Sequence, residues 1–127
     1  MKKIIVVYGD SNTGKTTVID QVYRKLIELG AQEKIPRKED LSGDFEAVIS
    51  CGKKTIAFYS FGDYKSYVDE QVEKYKEYDI LITAYNKKFA TIGWVWLANS
   101  EIIEKVEKYQ ANDADNMKAL NDILSRI

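Results

Sequence analysis

The sequence predicts a three-layer α/β fold in one domain spanning 1–127: a mostly parallel sheet that carries one antiparallel β-hairpin, with helices on both faces. Three observations predict it. Ile4-Ile5-Val6-Val7-Tyr8 and residues 79–85 are short apolar runs, rich in β-branched residues, of the kind buried on both faces of a parallel sheet. Apolar residues at helical spacing, Val18, Ile19, Val22, Leu26 and Leu29, follow the first run directly. Between the two runs lie residues 45–50 and 55–60, strand-like and separated by Cys51-Gly52-Lys53-Lys54, which suits a hairpin. Strands alternating with helices imply a sheet layered by helices.

Taken in order, the run from Ile4 to Tyr8 is the first strand, and residues 15–29 form the first helix, with Gly30 as its C-terminal cap. Residues 31–44 hold the only proline, Pro36, with Gly43 and a cluster of charges, and read as a long mobile connection. The hairpin over 45–60 leads into Phe61-Gly62-Asp63. Residues 64–78 place Val68, Val72 and Tyr75 on one face and charges on the other, an amphipathic helix. The 79–85 run reads as a central strand. Trp94-Val95-Trp96-Leu97-Ala98 fits a short buried helix or part of a strand, and helix is the preferred reading. Residues 101–109 fit both periods, and a strand there would complete the sheet. Residues 112–116 are turn-like, and Met117, Leu120, Ile123, Leu124 and Ile127 repeat as a closing helix.

Composition narrows the function. The chain has 127 residues and a formal net charge of −1, so its overall balance indicates neither nucleic acid nor an anionic membrane as partner. One cysteine, Cys51, forms no internal disulfide, which suits a reducing, cytoplasmic setting. No signal peptide or bilayer-spanning stretch is expected. Histidine is absent, so acid or base chemistry near neutral pH falls to carboxylates, lysines, tyrosines or metal-bound water.

The strongest signal is Gly9-Asp10-Ser11-Asn12-Thr13-Gly14-Lys15-Thr16, which matches G-x-x-x-x-G-K-T in full. It follows a predicted buried strand and opens a predicted helix, the context in which this pattern cradles phosphates. Gly9 and Gly14 allow backbone N–H groups to converge on a phosphate, with Asn12 and Thr13 in the same cradle. Lys15 is expected to reach the phosphates as a point charge and is the candidate catalytic cation. Thr16 is expected to offer a hydroxyl to Mg2+, with the helix dipole behind the anion, and Thr17 is either a helper in phosphate binding at the helix start or a solvent-facing or capping hydroxyl. On these residues the chain resembles the P-loop nucleoside triphosphatase superfamily, firmly over residues 4–29 and more loosely beyond. The resemblance implies the P-loop fold and a triphosphate ligand, ATP or GTP, with Mg2+.

Such enzymes carry an acidic residue near the end of a neighbouring strand. Residues 58–63 look like the part of Ras-like small GTPases where two antiparallel strands lead into an Asp-x-x-Gly switch, but Tyr59 stands at the aspartate position. Asp63 is the alternative candidate for catalysis and metal binding, with Ser60 behind it, although Asp63 equally suits an N-cap on the next helix. Asn86-Lys87-Lys88 superficially echoes the Asn-Lys-x-Asp guanine reader, with Phe89 replacing the aspartate, so ATP is preferred over GTP. Lys34, Arg37 and Lys38 read as a solvated loop, and Trp94 and Trp96 as core. The expected function is a magnesium-dependent nucleoside triphosphate hydrolase or switch, completed by an activating protein partner or second subunit. The alternatives are a small kinase acting on a metabolite or nucleotide, and a nonhydrolytic nucleotide-binding module.

Overall fold

The computed structural model describes residues 3–61, 74–86 and 103–127. Six strands form one sheet: β1 (Lys3–Gly9), β2 (Gln32–Glu39), β3 (Phe45–Cys51), β4 (Lys54–Tyr59), β5 (Ile80–Asn86) and β6 (Ile103–Glu107). Two helices accompany them, α1 (Lys15–Glu28) and α2 (Asp113–Arg126). The sheet order is β2-β3-β4-β5-β1-β6. Strands β4, β5, β1 and β6 pair in parallel, and β3 alone runs against the rest, between β2 and β4.

The β-branched runs form the centre of this sheet because both their faces leave water. Ile5, Val7 and Ile82 face a cluster that takes Val18, Ile19 and Val22 from α1 and Ala119 and Ile123 from α2. Ile4, Val6, Leu81 and Tyr85 face the other way, where Tyr75 and Tyr78 pack. Each large side chain so buried contributes about 1.5–3 kcal/mol. Both described helices therefore lie on one face, and the fold is α/β with a mixed sheet. The predicted helix over 64–78, apart from residues 74–78, and the 94–98 segment lie outside the described residues.

α1 ends where the sequence expects, by a double hydrogen bond: Gly30 N–H to Ile27 O at 3.0 Å and Ala31 N–H to Leu26 O at 2.9 Å. The connection expected over 31–44 is instead largely strand β2. This correction has a physical cause. β2 is an edge strand whose residues are nearly all exposed, so Gln-Glu-Lys-Ile-Pro-Arg-Lys-Glu carries no buried stripe, and its lysines and proline are those that protect a free sheet edge. Arg37 is accordingly fixed rather than mobile: its guanidinium lies 3.8 Å from the Phe45 ring centroid and 2.5 Å from the Asp20 carboxylate. The closing helix begins earlier than its apolar repeat, at Asp113, because the polar residues before Met117 form its capped first turn.

Strand order decides what borders the 9–16 loop. The hairpin strand β4 does not neighbour β1; β5 lies between them, in parallel register that sets Asn86 beside Gly9.

Candidate functional site

The 9–16 loop leaves the carboxyl end of β1 and turns directly into α1. Its two glycines are required for different reasons. Gly14 holds φ +88°, in the left-handed region, and serves as the N-cap of α1. Gly9 is required by proximity: a Cβ there would lie 2.3 Å from the Lys108 carbonyl oxygen, at the end of β6. Asn12 also takes a positive φ, 62°, and its side chain is exposed. Thr13 is buried and donates its hydroxyl to Asp10 O at 2.9 Å, tying the loop to itself.

Lys15 is only 7% exposed, and its ammonium donates to the carbonyls of Gly9 at 3.2 Å and Asp10 at 2.7 Å. The cation is thus held across the mouth of the loop. α1 has no side-chain cap on its N-terminus and no acidic residue in its first turn. From the neighbouring strand, Asn86, buried at the end of β5, donates Nδ2 to Ser11 Oγ at 2.9 Å and steadies the loop tip. Asn86 is therefore a strand-end residue bound to the loop; Lys87, Lys88 and Phe89 lie outside the described residues.

Beside the loop opens a cavity of about 470 Å3, lined by residues 12–17, Ser42, Asp44, Ser60 and Ala111. The loop residues named from sequence from Asn12 to Thr17 are thus brought to one wall, with Thr17 exposed on it. Gly9 lies at the loop's base against Lys108. Asp63 lies outside the described residues, as do Gly62, Trp94 and Trp96. Ser60, the lesser candidate, does reach the cavity.

The residue that sequence reasoning missed is Asp44. Its Oδ1 accepts the Thr16 hydroxyl at 2.6 Å and the Ser60 hydroxyl at 3.1 Å. A compact turn sets it there: Asp40 N–H bonds to Asp44 O at 2.9 Å, and Ser42 N–H to Asp40 Oδ1 at 2.8 Å. The Ser42 hydroxyl holds the Asp40 carboxyl below its ordinary range. Ser60 closes the arrangement, since its Oγ also accepts the Phe45 N–H at 2.9 Å. Tyr59, at the position where an aspartate was sought, points to the opposite sheet face, 5% exposed and packed on Phe61 at 5.0 Å between ring centroids. It contributes nothing to the cavity.

Behind Gly14 stands a second polar group. Lys108 is fully buried and donates to Asp115 Oδ2 at 2.6 Å and Gln110 O at 2.8 Å. Asp115 also accepts N–H bonds from Tyr109 and Gln110. The Lys108 hydrogen bond, opposed by desolvation and aided by those amides, holds the Asp115 carboxyl down at about 2. Asn116, next along α2, has a buried Oδ1 3.0 Å from where a Gly14 Cβ would stand. This group fixes the back of the loop.

Chemically, the loop wall presents an ammonium and a helix N-terminus without a side-chain cap of its own, which suit an anion. The facing wall presents hydroxyl and carboxylate oxygens, which suit a hard cation. Among the described residues no group of three or more His, Cys, Asp or Glu side chains gathers around one point. Compared with protein-family models, with characterised proteins and with solved structures, the chain matches none. No helix among the described residues is long and apolar enough to cross a membrane.

Proposed function

We propose that this chain is a P-loop nucleoside triphosphate-binding domain, three-layered in the manner of that superfamily, which takes ATP in preference to GTP together with Mg2+ and hydrolyses it. The observation that carries the reading is the full G-x-x-x-x-G-K-T octet standing between a buried parallel strand and a helix, with Lys15 drawn across the loop and Thr16 facing a cavity. The buried apolar second face of the sheet supports the third layer.

In this reading the triphosphate lies against the 12–17 wall. Lys15 exchanges its bonds to the Gly9 and Asp10 carbonyls for phosphate oxygens, and the α1 dipole adds positive potential behind them. Thr16 would hold the metal ion, whose preference for oxygen donors and few carboxylates the cavity's donor set fits. When bound, that ion offsets charge that develops on the phosphates. Ser11, fixed by Asn86, and Thr13, bonded to Asp10 O, keep the loop open to its ligand. The preference for ATP follows from Phe89, which stands where a guanine reader needs an aspartate.

A second reading, binding without hydrolysis, is favoured by Tyr59: the strand-end position that would supply an acid instead fills the far core. Calorimetry with ATP and GTP, with Mg2+ and with EDTA, followed by phosphate release in the same samples, separates the readings. Magnesium-enhanced ATP binding with steady release supports the hydrolase. Binding without release supports the module, and GTP binding at least as tight as ATP would overturn the base preference.

A further inference from the structure

We propose that Asp44, from the turn between β2 and β3, is the carboxylate that completes the magnesium site with Thr16, and that Ser60 positions it. The inference rests on the nucleotide reading above and names an acid from outside the end of β4, where Tyr59 stands.

Among the described residues, Asp44 is the only acidic side chain that lines the cavity. Its Oδ1 is 2.6 Å from Thr16 Oγ1, the hydroxyl that the octet assigns to the metal. A carboxylate on the wall facing a triphosphate repels it, and the repulsion becomes attraction only when a cation lies between the two. Mg2+ matches this pairing, because it takes one or two carboxylates along with phosphate oxygens and water. Thr16 at present donates its proton to Asp44; as a metal ligand the same hydroxyl would turn a lone pair to the ion and keep its proton for another acceptor.

The carboxylate is also pre-placed. The 40–44 turn closes on its own hydrogen bonds, and the Ser60 hydroxyl spans Asp44 Oδ1 at 3.1 Å and the Phe45 N–H at 2.9 Å. Ser60 is 1% exposed at the end of β4, so it is a fixed post against which the side chain of Asp44 is set. This makes Ser60 a positioning residue: it supports the ligand from a strand end where other arrangements would place the acid itself.

The test measures ATP affinity by calorimetry in EDTA and in Mg2+, and Mn2+ uptake by electron paramagnetic resonance in the presence of ATP, for the wild type and for Asp44→Asn, Asp44→Ser, Ser60→Ala and Asp63→Asn. Wild-type binding is expected to tighten with metal. Either Asp44 variant should keep its EDTA affinity, or improve on it as repulsion is removed, while losing about tenfold or more of the metal enhancement and of Mn2+ affinity. Ser60→Ala should lose a smaller part of the same enhancement than the Asp44 variants, with EDTA affinity unchanged. Full metal enhancement in the folded Asp44 variants would overturn the assignment, as would its loss in Asp63→Asn alone. Wild-type protein that binds no nucleotide even in EDTA would overturn the nucleotide reading and the assignment together, whereas intact binding with a metal response indifferent to Asp44 overturns the assignment only.

Discussion

The two described helices begin in opposite ways, within a few ångströms of each other. α2 starts with a full set of caps: Asn112 accepts the Asp115 N–H at 2.8 Å, and Asp113 and Asp115 put negative charge into the first turn. α1 starts at a left-handed glycine, with no side-chain cap and no acid in its first turn. A helix N-terminus is ordinarily satisfied by its own side chains, at a gain of about 1 kcal/mol per cap. At α1 that satisfaction by the helix's own side chains is withheld; the Asp44 carboxylate meets the Thr16 hydroxyl, and the uncapped end opens on a cavity with Lys15 across it, an arrangement that suits an added anion.

The largest effect is expected at Gly14. Gly14→Val forces a β-branched residue to φ +88° and drives its Cβ toward Asn116 Oδ1, so a loss of about 3 kcal/mol of stability is expected in urea denaturation, with loss of ATP binding. A sharper test gives α1 the acid that α2 has. Thr17 holds in α1 the place that Asp115 holds in α2, third from the helix start. Thr17→Asp should stabilise the fold by the ~0.3–1 kcal/mol of a favourable dipole contact, seen as a small rise in melting temperature, yet weaken ATP binding about thirtyfold by placing charge beside the phosphates. A variant that stabilises the helix without weakening ATP would undo the contrast.

The capped end makes its own predictions. Asp115 has its pKa held at about 2 in the folded chain, below the ordinary aspartate value of about 3.9, so its contribution to stability is complete above pH 4 and is lost as pH falls from there through 2. The contribution is on the order of 1–2 kcal/mol, and Asp115→Asn should flatten that part of the stability–pH profile measured by denaturant unfolding. Smallest is Asn112→Ala, which should cost about 1 kcal/mol of stability and leave pyrophosphate affinity unchanged, because its cap serves α2 alone.

The sequence made legible what depends on local pattern. β1, the 9–16 loop and α1 are adjacent in the chain, so their apolar spacing and glycines read directly. The hairpin of β3 and β4, the buried β5 and α2 were legible for the same reason, whereas residues 101–109 fit both periods locally and read as a strand because one there would complete the sheet. β2 was not, since an exposed edge strand with alternating charges and a proline has no buried stripe to betray it. Strand order left no local trace either: nothing in residues 80–86 says that they insert between β4 and β1. Asp44 was missed because its turn looks like any polar loop and its partners are distant in sequence, Thr16 by 28 residues and Ser60 by 16. Tyr59 could be seen to be wrong for a metal ligand, but only the fold assigns it to the far core.

Whether the uncapped start of α1 and Lys15 together hold a triphosphate is decided by titrating ATP into the wild type and Lys15→Ala side by side in a calorimeter, with thermal melts to establish that both are folded. Saturable binding by the wild type that weakens by about a hundredfold or more in the folded variant is the expected result. Equal affinity in the two proteins, or no binding by the wild type, would contradict it.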